Sequence, residues 1–195
     1  MNAVFLDKDG TLVENVENNA EPGLVEFYPD VWPALHLLQK NGFGLVIATN
    51  QPGIGQGYFT EEDILSVSHF IRTAFFEQGL RLDGFYYCPH HPDALDHRYK
   101  KNCICRKPAP GLLLTAASEL NIDLAASWMI GDILDDIEAG KAAGCRTILL
   151  DNGNESQWVY EEKRIPDFIS PTLMEAALLI DAQVQKERGA MPWRD

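Results

Sequence analysis

Short apolar runs that alternate with helix-patterned segments constrain this chain more than any other feature. Residues 3–6, 44–48, 85–87, 128–130 and 147–150 read as five strands. The run Gly-Leu-Val-Ile-Ala at 44–48 carries no polar break, as expected of a strand covered on both faces. Between the runs lie helical patterns with their own start and stop signals. Asp30 stands as N-cap before residues 31–40, and Asn41-Gly42 ends them. Thr60 and Asp63 have capping-box spacing and open a helix to about Gln78. Pro110 fits the first turn of a helix ending near Leu120. Residues 135–143 are stopped by Gly144, and Ser170-Pro171 opens a last helix to about Lys186. Strand–helix alternation predicts an α/β fold, a parallel sheet with helices on both faces. At 195 residues, one domain over 1–186 is expected, with 187–195 as a frayed tail.

In such sheets ligands bind beyond the carboxyl ends of the strands. The informative residues therefore follow each apolar run: Asp7, Thr49-Asn50, Cys88, Gly131-Asp132 and Asp151. One polar residue there is ordinary turn chemistry, but five on one sheet edge point to a site.

Charge narrows the partners. Lys plus Arg is 16 against 29 Asp plus Glu, a net charge of −13, which argues against nucleic acid or an anionic membrane as partner. The longest uncharged stretch, 41–60, is broken by Pro52 and five glycines and cannot serve as a membrane span. Residues 1–7 have no basic region and too short an apolar run for a signal peptide. A cytoplasmic, monomeric protein with reduced thiols is expected.

Asp7-Lys8-Asp9-Gly10-Thr11 is the sharpest local signal. Two like charges ~4 Å apart repel by about 4 kcal/mol at an effective dielectric near 20. Asp132 on the same edge worsens the conflict, and Mg²⁺ with a bound phosphate relieves it. A carboxylate can attack phosphorus directly. In-line phosphoryl transfer further needs an acid for the leaving oxygen and positive charge around the equatorial oxygens. Asp7 suits the first role, Asp9 the second, Lys107 the third, with the Thr49 hydroxyl and the Asn50 backbone N–H as donors. Taken singly, Thr49 reads as a strand-end hydroxyl, Lys107 as a surface lysine, and Asp135 and Asp136 as acids answering a helix dipole. The set together favours chemistry.

Cys88, His90, Cys103 and Cys105 crowd into the loop 88–107 and supply four ligands suited to tetrahedral Zn²⁺. His91 and His97 are rival ligands that spacing alone does not exclude. Four protein ligands would make a closed, structural site that stiffens a long loop and places Arg106-Lys107 at the active edge. A zinc-stabilised binding module without turnover is the competing class. It has no need of both carboxylates at 7 and 9.

The segments FLDKDGTL, IATNQPG, CRKPAPG and MIGDILDD resemble, in this order, the four motifs of the haloacid dehalogenase (HAD) superfamily of phosphatases. YYCPHHP and CICRKPAPG are similar to its zinc-loop branch of heptose-bisphosphate and histidinol-phosphate phosphatases. The resemblance spans about residues 3–150. It implies a three-layer, Rossmann-like, mainly parallel sheet without a cap domain. It implies Asp7 as nucleophile, Asp9 as acid and then base, and Mg²⁺ held by Asp7, the Asp9 carbonyl and Asp132. Thr49 and Lys107 would hold the phosphoryl group. Asn50, Gln51, Arg106 and the loop carrying Asn15 and Asn18 would face a small phosphorylated sugar, and Zn²⁺ would sit on Cys88, His90, Cys103 and Cys105. Histidinol phosphate or another small ester is the alternative substrate. The heptose branch usually carries a cation where this chain has Gln56 and Ile133.

Overall fold

A computed structural model describes residues 1–16, 18–159 and 161–189. Six parallel strands form one sheet in the order β3-β2-β1-β4-β5-β6. They are β1 (Ala3–Leu6), β2 (Gly44–Asn50), β3 (Gly84–Cys88), β4 (Trp128–Gly131), β5 (Arg146–Leu150) and β6 (Phe168–Ser170). The helices are α1 (Val31–Lys40), α2 (Gly53–Gln56), α3 (Glu61–Glu77), α4 (Gly111–Leu120), α5 (Leu134–Ala143) and α6 (Leu173–Gly189).

The period of two along each strand sorts side chains into two cores. Val4, Leu6, Leu45, Ile47, Trp128 and Ile130 face α1, α3 and α6. Ala3, Phe5, Val46, Ala48 and Met129 face α4. Every residue of β1 is buried, which is why its sequence is apolar throughout rather than alternating. The register Leu6↔Ile47 and Leu6↔Ile130 ends β1 and β4 side by side, while β2 runs three residues further to Asn50. Asp7 N–H continues the ladder to the Ile130 carbonyl at 3.0 Å, so the first residue past β1 is fixed beside β4. Only a 3-10 turn (Pro22–Leu24) and isolated bridges such as Val13↔Phe27 intervene before α1, so there is no cap domain among the described residues.

Three expectations need correction. A sixth strand follows the expected five: Phe168–Ser170 is too short for its pattern to show, and it exists by pairing with β5. The last helix begins at Leu173 and runs through Gly189, so the boundary at 187 falls inside it, and 190–195 lie outside the described residues. Asp30 does not cap α1. Its Oδ2 accepts the Met174 N–H at 2.8 Å and so serves the first turn of α6. The Thr60–Asp63 capping box is present, and Gly144 ends α5 at φ +90°.

Candidate active site

Two clusters form at the carboxyl edge of the sheet. In the first, carboxylate oxygens of Asp7, Asp132 and Asp136 lie within 4.8 Å of one another. All three residues are buried. Lys107 Nζ stands between two of them, 2.7 Å from Asp7 Oδ1 and 2.5 Å from Asp136 Oδ1. Burial opposes the Lys107 charge, but Asp136 and Asp7 outweigh it and raise its pKa. Burial, then the charges of Asp7 and Asp136, push Asp132 up to about 8. Burial also raises Asp136, against the pull of Lys107. One ammonium cannot neutralise three carboxylates, and this oxygen-only donor set suits Mg²⁺. Lys107 pairs with both Asp7 and Asp136, and Asp132 has no such cation beside it.

Asp9 lies beside this cluster, and burial raises its pKa. Its Oδ1 is ion-paired to Lys8 and its Oδ2 accepts the Gln51 amide at 2.9 Å. The same Gln51 nitrogen donates to Thr49 Oγ1 at 3.1 Å. The Gln51 side chain is thus spent on aligning Asp9 and Thr49, which differs from its expected place against a substrate. The Asn50 side chain is engaged with the main chain of Lys107, while its expected role rests on its backbone N–H. Its Nδ2 donates to the Lys107 carbonyl at 3.0 Å, and the Lys107 N–H donates to its Oδ1 at 3.0 Å. Arg106 lines a cleft of about 320 Å³ with Lys101, Asn102, Lys107 and Asp135. Asn18, at φ +55°, lines a different groove beside Tyr58 and Asp63, and Asn15 is exposed. Asp151 is exposed and joins neither cluster.

The second cluster gathers Cys88, His90, Cys103 and Cys105. The three Sγ atoms are separated by 3.1, 3.2 and 3.5 Å, and His90 Nδ1 is 3.2 Å from Cys105 Sγ. These four atoms mark the corners of a compact tetrahedron, and three thiols with an imidazole are a zinc donor set. The rivals fall away: His91 Nδ1 accepts the Asp93 N–H, and the His97 side chain is 95% exposed. Tyr87 and Tyr99 each donate to Glu61 at 2.6 Å, tying β3 and the loop 88–107 to the first turn of α3.

Sequence reasoning missed Lys8, 1% exposed, and the pairing of Asp136 with Lys107. The available signal for Asp136 was its spacing of four from Asp132 across a helix start. For Lys8 it was a cation enclosed by two carboxylates.

The family model for HAD-hydrolase-like proteins matches residues 104–176. The crystal structure of D,D-heptose 1,7-bisphosphate phosphatase from B. bronchiseptica, complexed with magnesium and phosphate, superposes with a TM-score of 0.77. It is 26% identical and covers 94% of this chain and 99% of that one. Fold and site therefore define a HAD-type phosphatase, a phosphoric monoester hydrolase. Among curated proteins, the D-glycero-beta-D-manno-heptose-1,7-bisphosphate 7-phosphatase of Photorhabdus laumondii is 46% identical over 154 residues, covering 76% of this chain and 79% of its own. Its counterpart in Escherichia coli is 43% identical over 150 residues, covering 76% and 78%. The chain belongs to this heptose-bisphosphate phosphatase family of HAD-like hydrolases. No helix among the described residues is long and apolar enough to cross a membrane.

Proposed function

We propose that this chain hydrolyses a phosphate monoester of a small sugar through an aspartyl phosphate on Asp7, with a heptose 1,7-bisphosphate, the compound named in its relatives, as leading substrate. The observation that carries the reading is the bond from Lys107 Nζ to Asp7 Oδ1 within a cluster of three buried carboxylates. Asp7 attacks phosphorus as the bond to the sugar oxygen breaks. Asp9, whose pKa burial raises, gives that oxygen its proton. The resulting carboxylate of Asp9 then takes a proton from water. The hydroxide so formed attacks phosphorus, releasing inorganic phosphate and the Asp7 carboxylate. Thr49 and Lys107 hold the equatorial oxygens as charge redistributes. Asp7, Asp132 and the Asp9 carbonyl would hold Mg²⁺, which supplies charge neutralisation for the phosphoryl group.

Zn²⁺ on Cys88, His90, Cys103 and Cys105 is structural, because four protein ligands leave no open position. Three coordinating thiols fit a reducing, cytoplasmic location. The protein acts as a monomer on a small molecule, and its net charge of −13 disfavours nucleic acid and anionic membranes.

A second anionic group on the substrate meets Arg106 and Lys101 in the cleft beside Lys107. Gln56 and Ile133 are uncharged, which favours a singly phosphorylated ester, histidinol phosphate included, as the second reading. Comparing kcat/KM for heptose 1,7-bisphosphate, monophosphorylated sugars and histidinol phosphate decides between them. A preference for the bisphosphate of about tenfold or more supports the first reading. Equal or better turnover of a monoester supports the second.

A further inference from the structure

The segment after β5 belongs to none of the motifs, yet it reaches the carboxylate cluster from outside. Gly10 has φ +80°, and a Cβ there would meet Asp132 Oδ2 at 2.1 Å and Asn154 Nδ2 at 2.6 Å. The carboxylate oxygen and the amide nitrogen thus crowd one point above Gly10, where a side chain would separate them. Asp132 Oδ1 accepts the Thr11 hydroxyl at 3.0 Å, and Oδ2 is the oxygen that shares the space above Gly10 with the Asn154 amide.

The amide is anchored on several sides. Asn152 Nδ2 donates to the Gly10 carbonyl at 2.7 Å, and its Oδ1 accepts the Asn154 N–H. Glu155 Oε2 accepts the Leu134 N–H at 2.7 Å, just beyond Asp132. The Asn154 side chain hydrogen-bonds the hydroxyl of Tyr28, whose own N–H donates to the Leu12 carbonyl. Residues 152–155 therefore grip the turn after β1 and the start of α5, on both sides of Asp132.

We propose that Asn154, held by Tyr28 and Asn152, is a positioning residue that fixes the Asp132 carboxylate for magnesium. An amide donor held close to Oδ2 favours the ionised carboxylate in one orientation. Partners behind a ligand commonly matter nearly as much as the ligand itself. The inference rests on the magnesium reading above.

Calorimetric titration with MgCl₂, without substrate, tests it on zinc-replete protein. Asn154→Leu keeps the volume but removes the donor, and magnesium should bind about tenfold more weakly. Tyr28→Phe, which disturbs packing least, should weaken binding in the same direction by a smaller factor. In turnover assays the defect of Asn154→Leu should be larger at limiting than at saturating Mg²⁺, a split that simple destabilisation does not produce. Should Asn154→Leu fail to fold, Tyr28→Phe decides. Folded variants that bind magnesium as the wild type does overturn this inference alone. A wild type that binds no magnesium overturns the metal reading as well.

Discussion

Asn50 clamps the main chain of Lys107 from both directions, its Nδ2 donating to the carbonyl and its Oδ1 accepting the N–H, each at 3.0 Å. Through this pair the end of β2 holds the end of the loop 88–107, and the lysine reaches Asp7. Asn50→Ala leaves both main-chain groups without these partners, at a cost of about 1–3 kcal/mol. Displacing a catalytic group by about 1 Å can cost on the order of 10²-fold, so kcat should fall by about that factor. Steady-state kinetics alongside zinc content checks this, and the zinc should remain.

Cys103→Ser removes one corner of the second cluster. Zinc content should drop from about one per chain to well below it, because structural zinc affinity depends on the full donor set. Elemental analysis reads the loss. Limited proteolysis should then cut within 88–107, and activity should fall with it because Lys107 rides on that loop.

Magnesium should stabilise the protein more as pH rises. Burial first, then Asp7 and Asp136, raise the Asp132 pKa to about 8, above its ordinary value of 3.8. The folded, magnesium-free state thus keeps a proton that the unfolded chain releases, so stability from this group is complete below about pH 4 and is lost as pH climbs towards 8. Magnesium takes over the proton's role. Melting curves with and without Mg²⁺ should show a larger gain at pH 8 than at pH 5.5, by a few degrees. An equal or reversed gain contradicts the assignment.

Asp30→Ala should destabilise the fold while sparing chemistry. Its carboxylate caps α6 through Met174, and loss of such a cap costs about 1 kcal/mol. The melting temperature should fall by a few degrees, with kcat and KM unchanged.

The strand ends were legible because a parallel sheet delivers the residue after each apolar run to one edge. Asp7, Thr49, Cys88 and Asp132 were found that way, and all lie at that edge. The Cys/His cluster was legible from ligand crowding, although only the structure separates His90 from His91 and His97. What stayed hidden was the partner of each side chain. The Gln51 amide is bound to Asp9, and the Asn50 side chain, for which only the backbone N–H had been given a role, clamps Lys107. Glu155 serves Leu134 from 21 residues away, and β6 forms only by pairing with β5. Such contacts depend on tertiary placement, which local propensity and spacing do not encode.

Nucleophilic attack by Asp7 on phosphorus stands or falls with the variant Asp7→Asn. Hydrolysis of an aryl phosphate with saturating Mg²⁺ should fall by about four orders of magnitude or more, as for loss of a nucleophile. Circular dichroism and zinc content should match the wild type. A folded Asp7→Asn protein that keeps wild-type turnover would rule out Asp7 as the nucleophile.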